Sequence, residues 1–293
     1  MPAAAIRGGI APPQVPWRSL LWIAPITLLW ILLIYWQPAL SDSGVASATA
    51  RLMTYSLIGL GLWLALERTD LAAWQRRMTW MMVIVPYTLW FALAWSAAIN
   101  GAFRAGASSL PVLPLAIFLP VIIGAPLLLL SKGVGQALDA MPVTWLIALQ
   151  SYRVFGAVWL VGGLQGTLPS VFGLPAGIGD VLTGLFALPT AIAVAAGTAQ
   201  GRRAAIAWNA FGLADFAVAI TLGLITSPGP LQLIIPNVSS IGAGAYPNVL
   251  TPAFVVPSSI LLHALSLRQL HRRAQTRSQA VHNSVGDEHE RRA

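Results

Sequence analysis

The sequence holds no cysteine, and only 9% of its 293 residues are charged. The missing cysteine excludes disulfides, thiolate metal sites, cysteine nucleophiles and cysteine-ligated haem or iron–sulfur clusters. The missing charge excludes a water-soluble particle. Soluble domains carry roughly 25% charged residues, whereas this chain is 57% hydrophobic with a mean hydropathy of +0.73. Common enzyme motifs are missing too. No HExxH or GxSxG stretch occurs, and "GIGDVLTG" lacks the strand and the lysine of a phosphate-binding loop. Haem held by two histidines inside a membrane needs a pair, and the apolar segments offer His263 alone.

What the chain does have is long apolar runs. About 20 apolar residues at 1.5 Å rise each cross a bilayer. Eight spans are expected on that measure, at 19–37, 51–66, 78–99, 110–131, 143–164, 177–198, 204–226 and 249–268. The second is short and the fourth is interrupted by prolines, so seven spans is the main alternative. The fold class is all-α, a polytopic transmembrane helix bundle in contact with the lipid bilayer. The run from Leu20 to Trp36 exceeds the hydrophobic region of a signal peptide and reads as a retained first helix.

The net charge of +8 is not spread at random. Arg7 and Arg18 precede span one, and Arg68, Arg76 and Arg77 separate spans two and three. Lys132 follows span four, Arg202 and Arg203 separate spans six and seven, and Arg268, Arg272, Arg273 and Arg277 follow span eight. The opposite loops hold only Arg51 and Arg104. The positive-inside rule then places both termini in the cytoplasm. These cations act as topology determinants, so no nucleic-acid partner is expected. Trp17, Trp36, Trp74, Trp80, Trp145 and Trp208 fall near span ends and read as an interfacial belt. Residues 1–18 read as a cytoplasmic N-terminal segment and residues 269–293 as a disordered cytoplasmic tail. His271, His282 and His289 are too widely spaced for a metal motif.

The two halves differ in character. Residues 19–131 form a four-span region whose last span carries Pro111, Pro114, Pro120 and Pro126. Proline frees a backbone carbonyl that lipid cannot satisfy, so this span should be kinked and packed on protein. Residues 143–268 form a four-span bundle with buried polar residues. Its outer loops, "QGTLPSVFGLPAG" and "SPGPLQLIIPNVSSIGAGAYPN", are uncharged and should lie over the membrane face.

The polar residues of that bundle are the candidate site. Counted along the spans, Arg153 and Asp215 both sit roughly 15 Å deep, near the midplane. Gln150 and Asn209 lie closer to the cytoplasm, His263 about 7–8 Å in, and Asp180 near the outer end of span six. A lone Arg or Asp at that depth costs about 2.5–3.5 kcal/mol, and arginine cannot shed its charge. An Arg153–Asp215 pair is therefore expected. Small and polar residues recur on single faces, Asn209–Gly212–Asp215–Ala219–Gly223 and Asp180–Gly184–Ala187–Ala191, which allows close helix contact.

Three readings of this set stand side by side. It pins helix register, it binds a small solute or protons, or it serves membrane-embedded chemistry with an unknown cofactor. In the second reading Arg153 anchors charge, Asp215 pairs or titrates, His263 responds to protons, and Asp180, Gln150 and Asn209 line the route. Asp180 and Asp215 look too far apart to share a proton.

The combination "QSYRVFG", "LPAGIGD" and "WNAFGLADF", with a Pro-rich loop and a helix ending "VVPSSILLHAL", resembles an uncharacterised family of bacterial polytopic membrane proteins. The resemblance spans roughly residues 148–268. It implies a bacterial cytoplasmic (inner) membrane location, and no substrate, catalytic residue or oligomeric state.

Overall fold

A computed structural model describes residues 19–37, 39, 44–104, 107 and 110–290. The N-terminal segment 1–18, with Arg7, Trp17 and Arg18, lies outside the described residues, as do residues 291–293. Among the described residues helix is the regular secondary structure, with no strand. In chain order the helices are α1 (Leu20–Trp36), α2 (Gly44–Glu67), α3 (Ala73–Ile99), α4 (Val112–Leu130), α5 (Lys132–Ala140), α6 (Thr144–Leu149), α7 (Ala157–Leu164), α8 (Ser170–Ala195), α9 (Ala199–Thr226) and α10 (Val256–Glu290). A 3-10 segment, Gln150–Gly156, joins α6 to α7, and a π-helical turn, Thr251–Val255, leads into α10.

Seven of the segments are long and apolar enough to cross a bilayer, α6, the 3-10 segment and α7 together making one and the π-helical turn opening the last. The protein is thus a multi-pass membrane protein. The eighth expected span, α1, is apolar but has 17 residues, about 25 Å of helix. The surface agrees with a lipid solvent. Trp22, Leu29, Met82, Leu93, Ile122 and Leu127 point outward, while Gln150, Arg153, Asn209, Asp215 and His263 are buried. That inversion leaves polar groups to be satisfied inside the protein.

The centre of the bundle lies in the second half. The spans Thr144–Leu164 and Thr251–Thr276 are each 56% buried, against 11% for Val112–Leu130. The helix α8 is the hub. Gly173, Gly177 and Gly184 on one of its faces meet the backbone of Trp159, Leu160 and Val154, so a Cβ at any of them would overlap main chain. Small residues at this spacing let two backbones touch, which is how apolar helices gain packing energy in lipid.

Three features differ from expectation. First, α8 begins at Ser170, not 177, because Pro175 is held inside the helix. Second, α1, grouped by sequence with the N-terminal four-span region, packs against the second half of the chain. Ile34 packs with Ala157 and Val161, Trp30 meets the ring of Phe155, and Gln165 donates to the Tyr35 carbonyl. Third, residues 269–290 continue helix α10 where a disordered tail was expected. The reason lies at its start. Gln269 is fully buried and donates to the carbonyls of Leu138 and Met141, and Arg273 donates to Met141 as well. These side chains satisfy the orphan carbonyls at the end of α5. Arg268 does the same after α4, donating to Leu128 and Ser131.

Candidate buried charge cluster

The chemistry gathers around Arg153. The 3-10 segment eclipses residues three apart, so Gln150 and Arg153 both turn inward toward α8, α9 and α10. The arginine side chain is 1% exposed. Its Nε donates to Asp180 Oδ1 at 2.7 Å, and one Nη donates to Asp215 Oδ2. The other Nη donates to the Gly212 carbonyl at 3.4 Å and meets His263 Nε2 at 3.2 Å. The guanidinium plane lies over the ring of Phe216, 3.9 Å from its centroid. Stacking, a fork of donors and two carboxylates are what arginine, and not lysine, can use.

The expected Arg153–Asp215 contact is present. Asp180 stands differently from expectation, because it binds the same guanidinium. With α8 beginning at Ser170, Asp180 lies ten residues in, about 15 Å, level with Asp215 eleven residues from the end of α9. It also sits in the glycine face of α8, between Gly177 and Gly184, which brings it against the Arg153 segment. Gly156 and Gly179 leave room for the two carboxylates, since a Cβ on either would strike Asp180 and Asp215 respectively.

Behind the arginine a chain of hydrogen bonds runs toward the basic end of the bundle. Asn209 Nδ2 donates to the Ala205 carbonyl at 2.8 Å and to Ser266 Oγ at 3.1 Å. Both amide hydrogens are then used, so Asn209 Oδ1 accepts from His263 Nδ1 at 2.9 Å. The Nε2 lone pair is left to accept from Arg153, which makes His263 the neutral Nδ1–H tautomer in this arrangement. Trp208, expected in the interfacial belt, is buried under the site. Its Nε1 donates to the Thr183 carbonyl and its ring lies 5.0 Å from that of His263.

A cavity of about 230 Å³ reaches the cluster from the opposite end. Asp180 and Asp215 form part of its wall, with Trp159, Phe172 and Phe216 beside them. Arg104 and the loop residues Pro228 and Ile241 line its mouth. Arg51, expected in a loop of that side, lies within α2 and donates to Thr251, another lining residue. Asp180 is the more accessible carboxylate, at 15% against 5% for Asp215. Gln150 and Asn209, expected along the route, do not line the cavity. Gln150 donates instead to the Ser259 carbonyl, and its Oε1 is buried without a partner.

Sequence reasoning passed over Tyr152, Phe216 and Trp159. Tyr152 hydrogen-bonds Ser259 and pins the 3-10 segment to α10. Aromatic residues in apolar spans give no signal that separates a site wall from ordinary packing. Among the described residues no group of His, Asp and Glu is placed to hold a metal.

Residues 110–271, more than half of the chain, match the family described as a domain of unknown function (DUF8737), and the protein belongs to that family. No curated protein and no solved structure matches the chain.

Proposed function

We propose that the protein is an eight-span transporter of a bacterial cytoplasmic membrane, with both termini inside. It binds a small solute in the cavity that ends at Asp180 and Asp215, and exchanges a proton there. The observation that carries this reading is the meeting of that cavity with two carboxylates sharing one guanidinium. Fully ionised, one arginine against two aspartates leaves a formal charge of −1 on the cluster. Net charge near the midplane is unfavourable, so the cluster is completed by one proton or by a cationic group of a solute. Asp180, nearer the opening, meets the solute. Asp215 takes up the balance of charge, and Arg153 holds both carboxylates. His263, Asn209 and Ser266 position the arginine and continue the polar chain toward the cytoplasm. The α1 helix, lying along α7 and α8, supports an eighth span.

The test uses purified protein in liposomes containing an entrapped pH-sensitive dye. A panel of small amines added outside should drive dye-reported proton movement in the wild type and none in Asp180→Asn or Asp215→Asn. Asparagine variants that insert, fold and move protons like the wild type refute the reading.

A second reading rests on the near-complete burial of Arg153, whose guanidinium has protein partners on every group. The cluster then only fixes helix register. In that case Arg153→Met with Asp180→Leu and Asp215→Leu together should match or exceed wild-type stability, as replaced buried ion pairs often do, and proton movement should be absent from the wild type.

A further inference from the structure

A second cavity, of about 570 Å³, lies between α2, α3, α4 and α10 toward the basic end of the bundle. Its deep wall is core: Leu138, Leu146 and Leu262 are buried. Its outer rim is lipid-facing, since Met82 is 70% exposed, Ile123 51% and Leu127 67%. The hollow therefore opens sideways into the hydrocarbon, between α3 and α4. Nearly every lining atom is apolar, and a void of this size has no partner atoms for its walls. Only a hydrocarbon chain arriving from the bilayer fits that chemistry.

The end of the cavity nearest the membrane surface carries charge. The Arg68 guanidinium lies over Trp145, 4.4 Å from the ring centroid, and Trp145 lines the cavity. Arg268 is fixed to the Leu128 carbonyl, and Leu128 lines it too. Lys132 is exposed at the start of α5, two residues from the lining Val134. Across segments 67–77, 131–141 and 268–273 there are seven Lys and Arg residues against three carboxylates, Glu67, Asp70 and Asp139. Arg272 and Asp139 neutralise each other.

From the apolar hollow and its cationic rim we infer that this cavity is a binding site for an anionic phospholipid. One acyl chain inserts between α3 and α4, and the phosphate headgroup rests on Arg68, Lys132 and their neighbours. Gly61 makes the site testable. It lines the cavity, and a Cβ placed on it meets nothing within 4 Å, so the side chain of Gly61→Leu starts in open space and extends into the hollow.

The experiment is native mass spectrometry of the purified full chain titrated with phosphatidylglycerol and, separately, phosphatidylcholine. Phosphatidylglycerol should bind more tightly. Arg68→Gln with Lys132→Gln should weaken it roughly fivefold per residue, leaving phosphatidylcholine unchanged. Gly61→Leu should weaken both lipids at an unchanged melting temperature. Equal binding of the two lipids in the wild type overturns the proposal. So does undiminished binding to a folded Gly61→Leu protein, or a lipid-free dimer in which a second copy covers the hollow. A phosphatidylglycerol with a photoactivatable acyl chain gives a readout that needs no variant. Label should concentrate in residues 57–62 and 119–128, and even labelling of all lipid-facing helices overturns the site.

Discussion

Replacing Arg153 with glutamine separates the charge balance of the cluster from its packing. In the wild type the guanidinium binds Asp180, Asp215, the Gly212 carbonyl and His263. Arg153→Gln removes the only cation and leaves two buried carboxylates facing each other, a formal −2. Removing one partner of a buried ion pair costs about 3–5 kcal/mol, and this change strands two. Asp180→Asn and Asp215→Asn act in the opposite sense. Each keeps the side-chain shape, leaves Arg153 one carboxylate, and brings the cluster from −1 to zero. The loss is then that of one hydrogen bond weakened from charged to neutral, about 1 kcal/mol. The double asparagine variant leaves Arg153 unpaired at +1 and should again lose about 3–5 kcal/mol. The stability order is thus either single asparagine variant close to wild type, with the double variant and Arg153→Gln far below. Equilibrium unfolding in mixed micelles, followed by tryptophan fluorescence, gives the four values. Acidification should narrow the gap between Arg153→Gln and wild type, because each proton bound removes one unpaired charge. A single asparagine variant as damaged as Arg153→Gln, or a gap that widens on acidification, refutes the excess-carboxylate argument.

The packing and the cavities make their own demands. Gly184→Ala places a Cβ 2.6 Å from the Val154 nitrogen. It should destabilise by about 1–3 kcal/mol through overpacking, measured in the same unfolding assay. Gln269→Ala strips donors from the Leu138 and Met141 carbonyls and should cost about 1–3 kcal/mol, with faster proteolysis after α5 as a second readout. Gly223→Leu extends a side chain beside Phe172 into the cavity at the charge cluster. It should abolish amine-driven proton movement while leaving the melting temperature within a few degrees, and unchanged transport would show that the solute does not pass there.

How much of this was legible in the sequence depends on whether the determining contacts are local. The helices were, because an apolar run states its own length and seven such runs satisfy it. Arg153 and Asp215 were also legible, since the cost of a charge in lipid demands a partner at equal depth. Asp180 was misplaced for a local reason. Pro175 looks like a helix stop, and moving the start of α8 from 177 to Ser170 moves Asp180 from the outer end to mid-depth. The polar stretch after Leu267 read as a tail because the acceptors of Gln269 are carbonyls of residues 138 and 141, more than 120 residues away in the chain. No window of sequence contains both halves of that interaction. The same holds for α1, whose packing partners include residues 155–165 and Val181.

The extent of the family match sharpens the distinction between the two cavities. The matched segment, 110–271, contains Gln150, Arg153, Asp180, Asn209, Asp215 and His263, and all of the cluster cavity's wall apart from Ala102, Phe103 and Arg104. The apolar cavity is different, since α2 and α3 supply one side of it through residues 57–62 and 82–90, which precede the match. The helices α4 and α10 line both. Val112–Pro114 and Ile117 face the cluster cavity and Leu119–Leu128 the apolar one, while α10 gives Val256 to the first and Leu261, Leu262 and Leu265 to the second. Two prolines of α4 fall along this shared wall, Pro114 on the cluster cavity and Pro120 on the apolar one. The charge cluster and its cavity thus come almost entirely from the segment that defines the family. The apolar hollow exists only because α2 and α3 close it from outside.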